Sequence, residues 1–420
     1  MRRPMMLVAI STLLFSIIVS AGDDTQSFSI SKTTKYKNEK ARIAVNTRNG
    51  DVLVVWLQTH RGPDDLEQVY TARCKAGKAK YRVKRPRLVS TPGVVCTETT
   101  VEYSSADNTY VVAWSAWQLS PPFGRNLPNI RTRMLNAVGK PVDAINEVAT
   151  AVNPEMTPVL TMLPAGSSAP APNGSVYLLV YDYSPRDSSA LGPGDPEAGL
   201  YGLYLNNKGE KTISNPFLIM LAPLKGTIHA GRTWVTDILL CQDGTFLLGA
   251  SKVTTTAFRA AHLIKLNRNA KHVDDTLLGE NESFSVGAIQ LGPDLFMSWW
   301  DHTRGSKDKS HLGLVDGSLG MLAEFSPLDG EDAWPIKLVK LEDDPGGYLI
   351  CSDGRYLFGR YISPDGAPGE RARKLFKHRG KLNHLDAACV PGSNRIFVAW
   401  TKKMGGDAEI RGFIFTADIP

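Results

Sequence analysis

The stretch Trp299-Trp300-Asp301-His302-Thr303-Arg304 gathers two indoles, a carboxylate, an imidazole and a guanidinium within six residues. Those types suit a sugar or an acidic ligand. Indoles offer flat apolar faces that also attract cations, guanidinium forks onto carboxylates, and imidazole exchanges protons near neutral pH. Smaller groupings of the same kind are His60 with Arg61, Trp117 with Arg125, and Asp182 with Arg186. Taken singly, each is a weak signal whose plainer reading is a solvated loop, with one tryptophan of the Trp299-Trp300 pair packed between blades. They gain meaning only if the fold brings them to one place.

Other chemical signals are sparse. There is no GxSxG, HExxH, EF-hand loop or Gly-rich phosphate loop, and the eight histidines show no metal-ligand spacing, so neither cofactor nor metal is expected. "CQDGTF" and "CSDGRYLF" resemble pieces of the Ser-x-Asp-x-Gly-x-Thr-Trp box of sialidases. Both are incomplete and fall between the wrong strands, so they read as Asp-Gly turns. Two carboxylates on separate blades can still hydrolyse a glycoside without leaving a local motif; Asp182 and Asp301 are the candidates.

The elements that would position these residues repeat along the chain. "DVLVVW", "NTYVVAW", "GSVYLLVY", "DGTFLLGA", "PDLFMSWW", "GGYLICS" and "NRIFVAW" recur at intervals of roughly 50 to 70 residues, the mark of a repeat architecture. Each follows a β-patterned segment such as "ARIAVN" or "VTDILL". Each precedes an amphipathic strand that usually ends in a glycine turn, and then a weaker fourth strand. Four strands per unit without helical periodicity predicts an all-β, seven-bladed β-propeller of four-stranded antiparallel blades. The seventh unit stops at its third strand, and Ser27–Thr34 ("SFSISKTT") offers the missing one, so the N-terminal strand is expected to complete the last blade. The "YLVVW"-type runs resemble those of secreted bacterial-type propellers with degenerate blades. That resemblance implies a fold and no catalytic residue.

Residues 1–21 read as a signal peptide, with Arg2 and Arg3 ahead of an apolar stretch and small residues around Ala21, which leaves 22–420 as one propeller domain. The expected location is secreted, or periplasmic in a bacterium, without a membrane span after cleavage. A net charge of +6 over 420 residues does not argue for nucleic acid. Asn173 and Asn281 fit glycosylation sequons. Cysteines that neighbour one another in sequence fall at opposite ends of the predicted sheets, so no disulfide is expected.

The loops between second and third strands are the long ones, and they carry the His60, Trp117, Asp182 and Trp300 groups; the opposite-face turns are mostly tight. A separate basic run, Lys78, Lys80, Arg82 and Lys84, alternates along the outer strand of the first blade. Arg371, Arg373 and Lys374 hold the matching place in the sixth. This run either blunts an edge strand or binds polyanions. The expected function is exported, non-enzymatic recognition of a glycan, peptide or anionic surface polymer at the long-loop face. The alternative is a secreted carbohydrate-active hydrolase or lyase with acids at the central mouth.

Overall fold

The protein is described by a computed structural model covering residues 27–32, 36–60, 66–77, 81–120, 124–150, 154–155, 157–163, 174–185, 199–221, 233–253, 259–279, 285–304, 307–328, 333–378, 381–404 and 407–420. Every regular element among these residues is a β-strand. The signal-peptide segment, Arg61, Lys78, Lys80, Arg186 and the sequon asparagines Asn173 and Asn281 lie outside the described residues.

The chain opens with β1 (Phe28–Ser29). Blade 1 follows as β2 (Lys37–Val45), β3 (Val52–His60), β4 (Leu66–Lys75) and a split outer strand, β5 (Arg82–Val83) and β6 (Arg87–Leu88). Blade 2 is β7 (Val94–Ser104), β8 (Thr109–Ser120), β9 (Gly124–Asn136) and β10 (Asn146–Thr150). In blade 3, β11 (Pro154–Glu155) and β12 (Pro158–Met162) both pair with β13 (Tyr177–Pro185), followed by β14 (Gly199–Leu205) and β15 (Phe217–Leu221). Blade 4 is β16 (Thr233–Leu240), β17 (Phe246–Val253), β18 (Arg259–Leu266) and β19 (His272–Gly279). Blade 5 is β20 (Val286–Gly292), β21 (Leu295–Arg304), β22 (Lys307–Asp316) and β23 (Met321–Phe325). Blade 6 is β24 (Ile336–Lys340), β25 (Gly347–Ser352), β26 (Tyr356–Ile362) and β27 (Arg373–Lys377). The last unit, labelled blade 7, is β28 (Lys381–Cys389), β29 (Arg395–Met404) and β30 (Asp407–Thr416). The first strands β2, β7, β12, β16, β20, β24 and β28 pack one against the next, and β28 returns to β2. A propeller is therefore the observed fold.

The apolar second strands have a simple cause. In β3, Leu53, Val55 and Leu57 join a core with Cys96, Val101 and Val112 of blade 2. The alternate residues Val52, Val54 and Trp56 join another with Phe397, Ala399 and Ile410 of blade 7. Side chains alternate between faces, and both faces are covered, so the run must be apolar throughout.

Closure follows the expectation. β1 pairs antiparallel with β30, Phe28 opposite Gly412 and Ser29 opposite Arg411. Ile30 is fully buried, and its N–H donates to the Ile410 carbonyl at 2.8 Å. The Arg411 guanidinium donates to the Ser27 carbonyl at 2.8 Å. Gly412 is required because a Cβ there would lie 2.7 Å from the Phe28 ring and 2.8 Å from Ile30 Cδ1. Thr33 and Thr34, the end of the proposed closing strand, lie outside the described residues.

Two expectations need correction. The stretches around Trp117 and Trp300 are largely hairpin arms rather than loops: Asp301 pairs across with Ser310 and Arg304 with Lys307. Backbone ladders need no apolar side chains, so a polar arm passes for a loop in sequence. The basic outer strand of blade 1 is also not continuous. Arg82–Val83 and Arg87–Leu88 are separate pairs on β4, with Pro86, which lacks an N–H, between them.

Candidate functional site

Four of the first strands carry a bulge near their starts. The register jumps between Glu39 and Arg42 in blade 1, Cys96 and Thr99 in blade 2, Val235 and Asp237 in blade 4, and Asn383 and Leu385 in blade 7. The residues left out of the ladder include Lys40, Glu98, Thr236 and His384. Lys40 (φ 56°) and His384 (φ 47°) are in the left-handed region, which strains any residue with a Cβ. A bulge re-aims a side chain, and strain of this kind persists where the surroundings enforce it.

All four residues line one cavity of about 360 Å³ at the mouth of the central channel, on the hairpin-arm face. Trp234, Trp334 and Arg42 share its wall. Lys40 pairs with Glu98 and donates to the Thr97 carbonyl at 3.1 Å. Among the described residues, the Arg42 guanidinium makes neither a hydrogen bond nor an ion pair, although it borders both the mouth and the neck below. His384 is exposed to the mouth's solvent. Crowding by protein, then the charges of Lys40 and Arg42, hold its imidazole below the usual range against the opposing pull of Glu39.

Beneath the mouth lies a smaller cavity of about 170 Å³, the neck of the channel. Lys337 Nζ sits 3.0 Å from Asp237 Oδ2 and 3.5 Å from Asp386 Oδ1. Burial acts to lower the Lys337 pKa, but the two carboxylates outweigh it and the net shift is upward. Asp386 also accepts the Ile43 N–H at 2.9 Å, tying blade 7 to blade 1. Further in, Glu102 is pushed up to about 8, first by burial and then by the charge of Asp237. A third cavity, about 490 Å³, opens on the tight-turn face.

Of the sequence candidates, Asp301 reaches the mouth wall. Its Oδ1 accepts the Ser285 N–H at 2.6 Å and its Oδ2 the Trp334 Nε1–H at 3.2 Å. Asp182 does the same task in blade 3, accepting the Thr157 N–H at 2.6 Å. Both buried carboxylates thus clasp the start of their blade's first strand, which gives them a structural role. Trp300 is buried and stacks on His311 at 5.3 Å, with Gly279 making room for it. His60 packs within blade 1, 3.1 Å from the Tyr70 hydroxyl and 4.7 Å from the Tyr36 ring. Trp117, Arg125, His302 and Arg304 fall on strands β8, β9 and β21, with side chains outside the described set, as are Arg61 and Arg186. Convergence of the whole group on one mouth is therefore not what the described residues carry.

On the outer wall, Arg82, Lys84, Arg371, Arg373 and Lys374 are exposed. Arg373 pairs with Asp418, and Lys374 lies over the Tyr356 ring at 4.8 Å. All five cysteines are free thiols, four of them buried.

Sequence reasoning missed Lys40, Arg42, Glu98, Trp234, Trp334 and His384. A signal was present. "NEKARIAV", "TETTVEY", "TWVTDILL" and "LNHLDAAC" place charged or large polar residues in strands that line the axis of the ring.

No protein-family model matches the chain, and no curated protein matches it in sequence. In structure it is similar to the NanB sialidase of Streptococcus pneumoniae (10% identity, 93% of this chain and 70% of that one, TM-score 0.49). It is also similar to the WD40 domain of Toxoplasma gondii coronin (11% identity, 94% and 85%, TM-score 0.47) and to the Dos1 propeller (9% identity, 92% and 95%, TM-score 0.45). These likenesses concern fold alone.

Proposed function

We propose that the protein is an exported binding propeller that holds an acidic glycan in the mouth of its central channel, without turnover. The observation that supports this reading is the set of bulges that direct Lys40, Glu98, Thr236 and His384 into the mouth, around an Arg42 guanidinium that makes no hydrogen bond or ion pair among the described residues. A carboxylate on the ligand would take Arg42 as its fork, while Trp234 and Trp334 offer faces to sugar rings. Asp182 and Asp301 are committed to backbone N–H groups, which weighs against them as a free acid and base. The described residues contain no helix long and apolar enough to cross a membrane.

The test is retention of uronic-acid oligosaccharides against neutral oligosaccharides of equal length, with reducing-sugar release followed on the same samples. Acidic ligands should bind at least tenfold tighter, lose that margin in Arg42→Gln, and weaken as salt is raised. Equal retention of neutral sugars would overturn the ligand class. Sugar release abolished by Glu98→Gln would replace binding with hydrolysis.

A further inference from the structure

We propose that the tight-turn cavity is a second ligand site, one that takes an organic ammonium on a short aliphatic body with Glu102 as its counter-ion. The cavity lies at the other end of the channel from the mouth, and the charged neck separates the two. At about 490 Å³ it is large enough for a small organic molecule. The half-buried side chains of Ile43, Val45, Met162 and Ala388 line it, so apolar surface stays wet in a concave site.

The polar groups of the wall are mostly spent. Glu342 accepts the Gly392 N–H at 2.8 Å, Tyr103 donates to Asn108 at 2.9 Å, and Lys340 donates to the Pro345 carbonyl. Glu102 differs: beyond the neighbouring Tyr103 backbone N–H, the described residues give its carboxyl no side-chain partner and no ion pair, and it faces both this cavity and the neck. The charged or titratable groups around it are Asp237, Lys337, Asp386 and Arg42 from the neck, and Lys340, Glu342 and Cys389 from the rim. Burial, and then the charge of Asp237, keep Glu102 protonated at neutral pH. A bound ammonium reverses that balance: Glu102 gives its proton to solvent, and the carboxylate pairs with the cation.

Calorimetry of the full chain with n-pentylammonium, and 1-pentanol as the uncharged control, tests this. At pH 7, in buffers of different ionisation enthalpy, close to one proton should be released per ammonium bound. With Glu102 titrating at about 8, affinity should rise roughly 50-fold from pH 6 to pH 8. Glu102→Gln should weaken the ammonium at least tenfold and leave pentanol unchanged. Met162→Ala, which keeps the carboxyl, should weaken both. Binding without proton release, equal binding of pentanol, or Glu102→Gln affinity within twofold of wild type would each overturn the assignment.

Discussion

Ile30→Ala asks whether the start of the chain holds the ring shut. Ile30 is fully buried in a core that it shares with Trp56 of blade 1 and Phe397, Ile410 and Ile414 of blade 7. A hole among such residues closes poorly, because each is already fixed by its own blade. Truncating a buried isoleucine to alanine costs 2–5 kcal/mol, and the fully enclosed site argues for about 3 kcal/mol. In a chain this long that lowers the melting temperature by roughly 3–5 °C. The loss should be local in hydrogen exchange. The Ile410 amide, which donates to the Ser31 hydroxyl at 3.2 Å, should exchange at least tenfold faster, while amides of β30 that face β29 keep their protection. Ligand retention should fall with it, because Arg42 and His384 stand on the two blades that this seam joins. A melting temperature within about 1 °C of wild type, with Ile410 exchange unchanged, would refute the closure argument.

Other perturbations reach the channel. Lys337→Met leaves Asp237 and Asp386 without their cation, so the denaturant midpoint should fall by the equivalent of about 3–5 kcal/mol, with part recovered in a double variant carrying Asp237→Asn. Glu102 binds its proton more tightly folded (about 8) than unfolded (4.5), so folding stability should decline as pH rises between those values and level off above; Glu102→Gln should remove that slope in urea titrations. His384→Gly relieves a left-handed histidine, so it should raise stability by about 0.5–1 kcal/mol while reducing ligand retention. A drop in both quantities would mean that the imidazole serves the fold instead.

Much of the scaffold was legible because it rests on periodic burial. The "LVVW"-type runs need cover on two faces, and the missing fourth strand of the last unit pointed to the chain's own start. The site was less legible. Trp300 and Asp301 drew attention as neighbours in sequence, yet the structure turns Trp300 into the core and spends Asp301 on Ser285 and Trp334. Lys40 and His384 are far apart in sequence and meet only through ring closure and two bulges. Neither bulge is marked by glycine, so nothing local announced them. Pro86 did announce the break in the outer strand of blade 1, but the alternating lysines and arginines around it suggested a continuous ladder.

A bulged residue contributes no rung to the sheet, so its identity is decoupled from strand pairing. Substitutions at Lys40, Glu98, Thr236 or His384 would change what the mouth greets, and three of them would also disturb a seam: Thr236 bonds the Val286 carbonyl of the next blade at 2.5 Å, and Lys40 pairs with Glu98 from blade 1 to blade 2. Selection can thus rewrite the lettering at the centre of such a ring while the architecture stands. Proteins of this shape can accordingly diverge in appetite faster than in form.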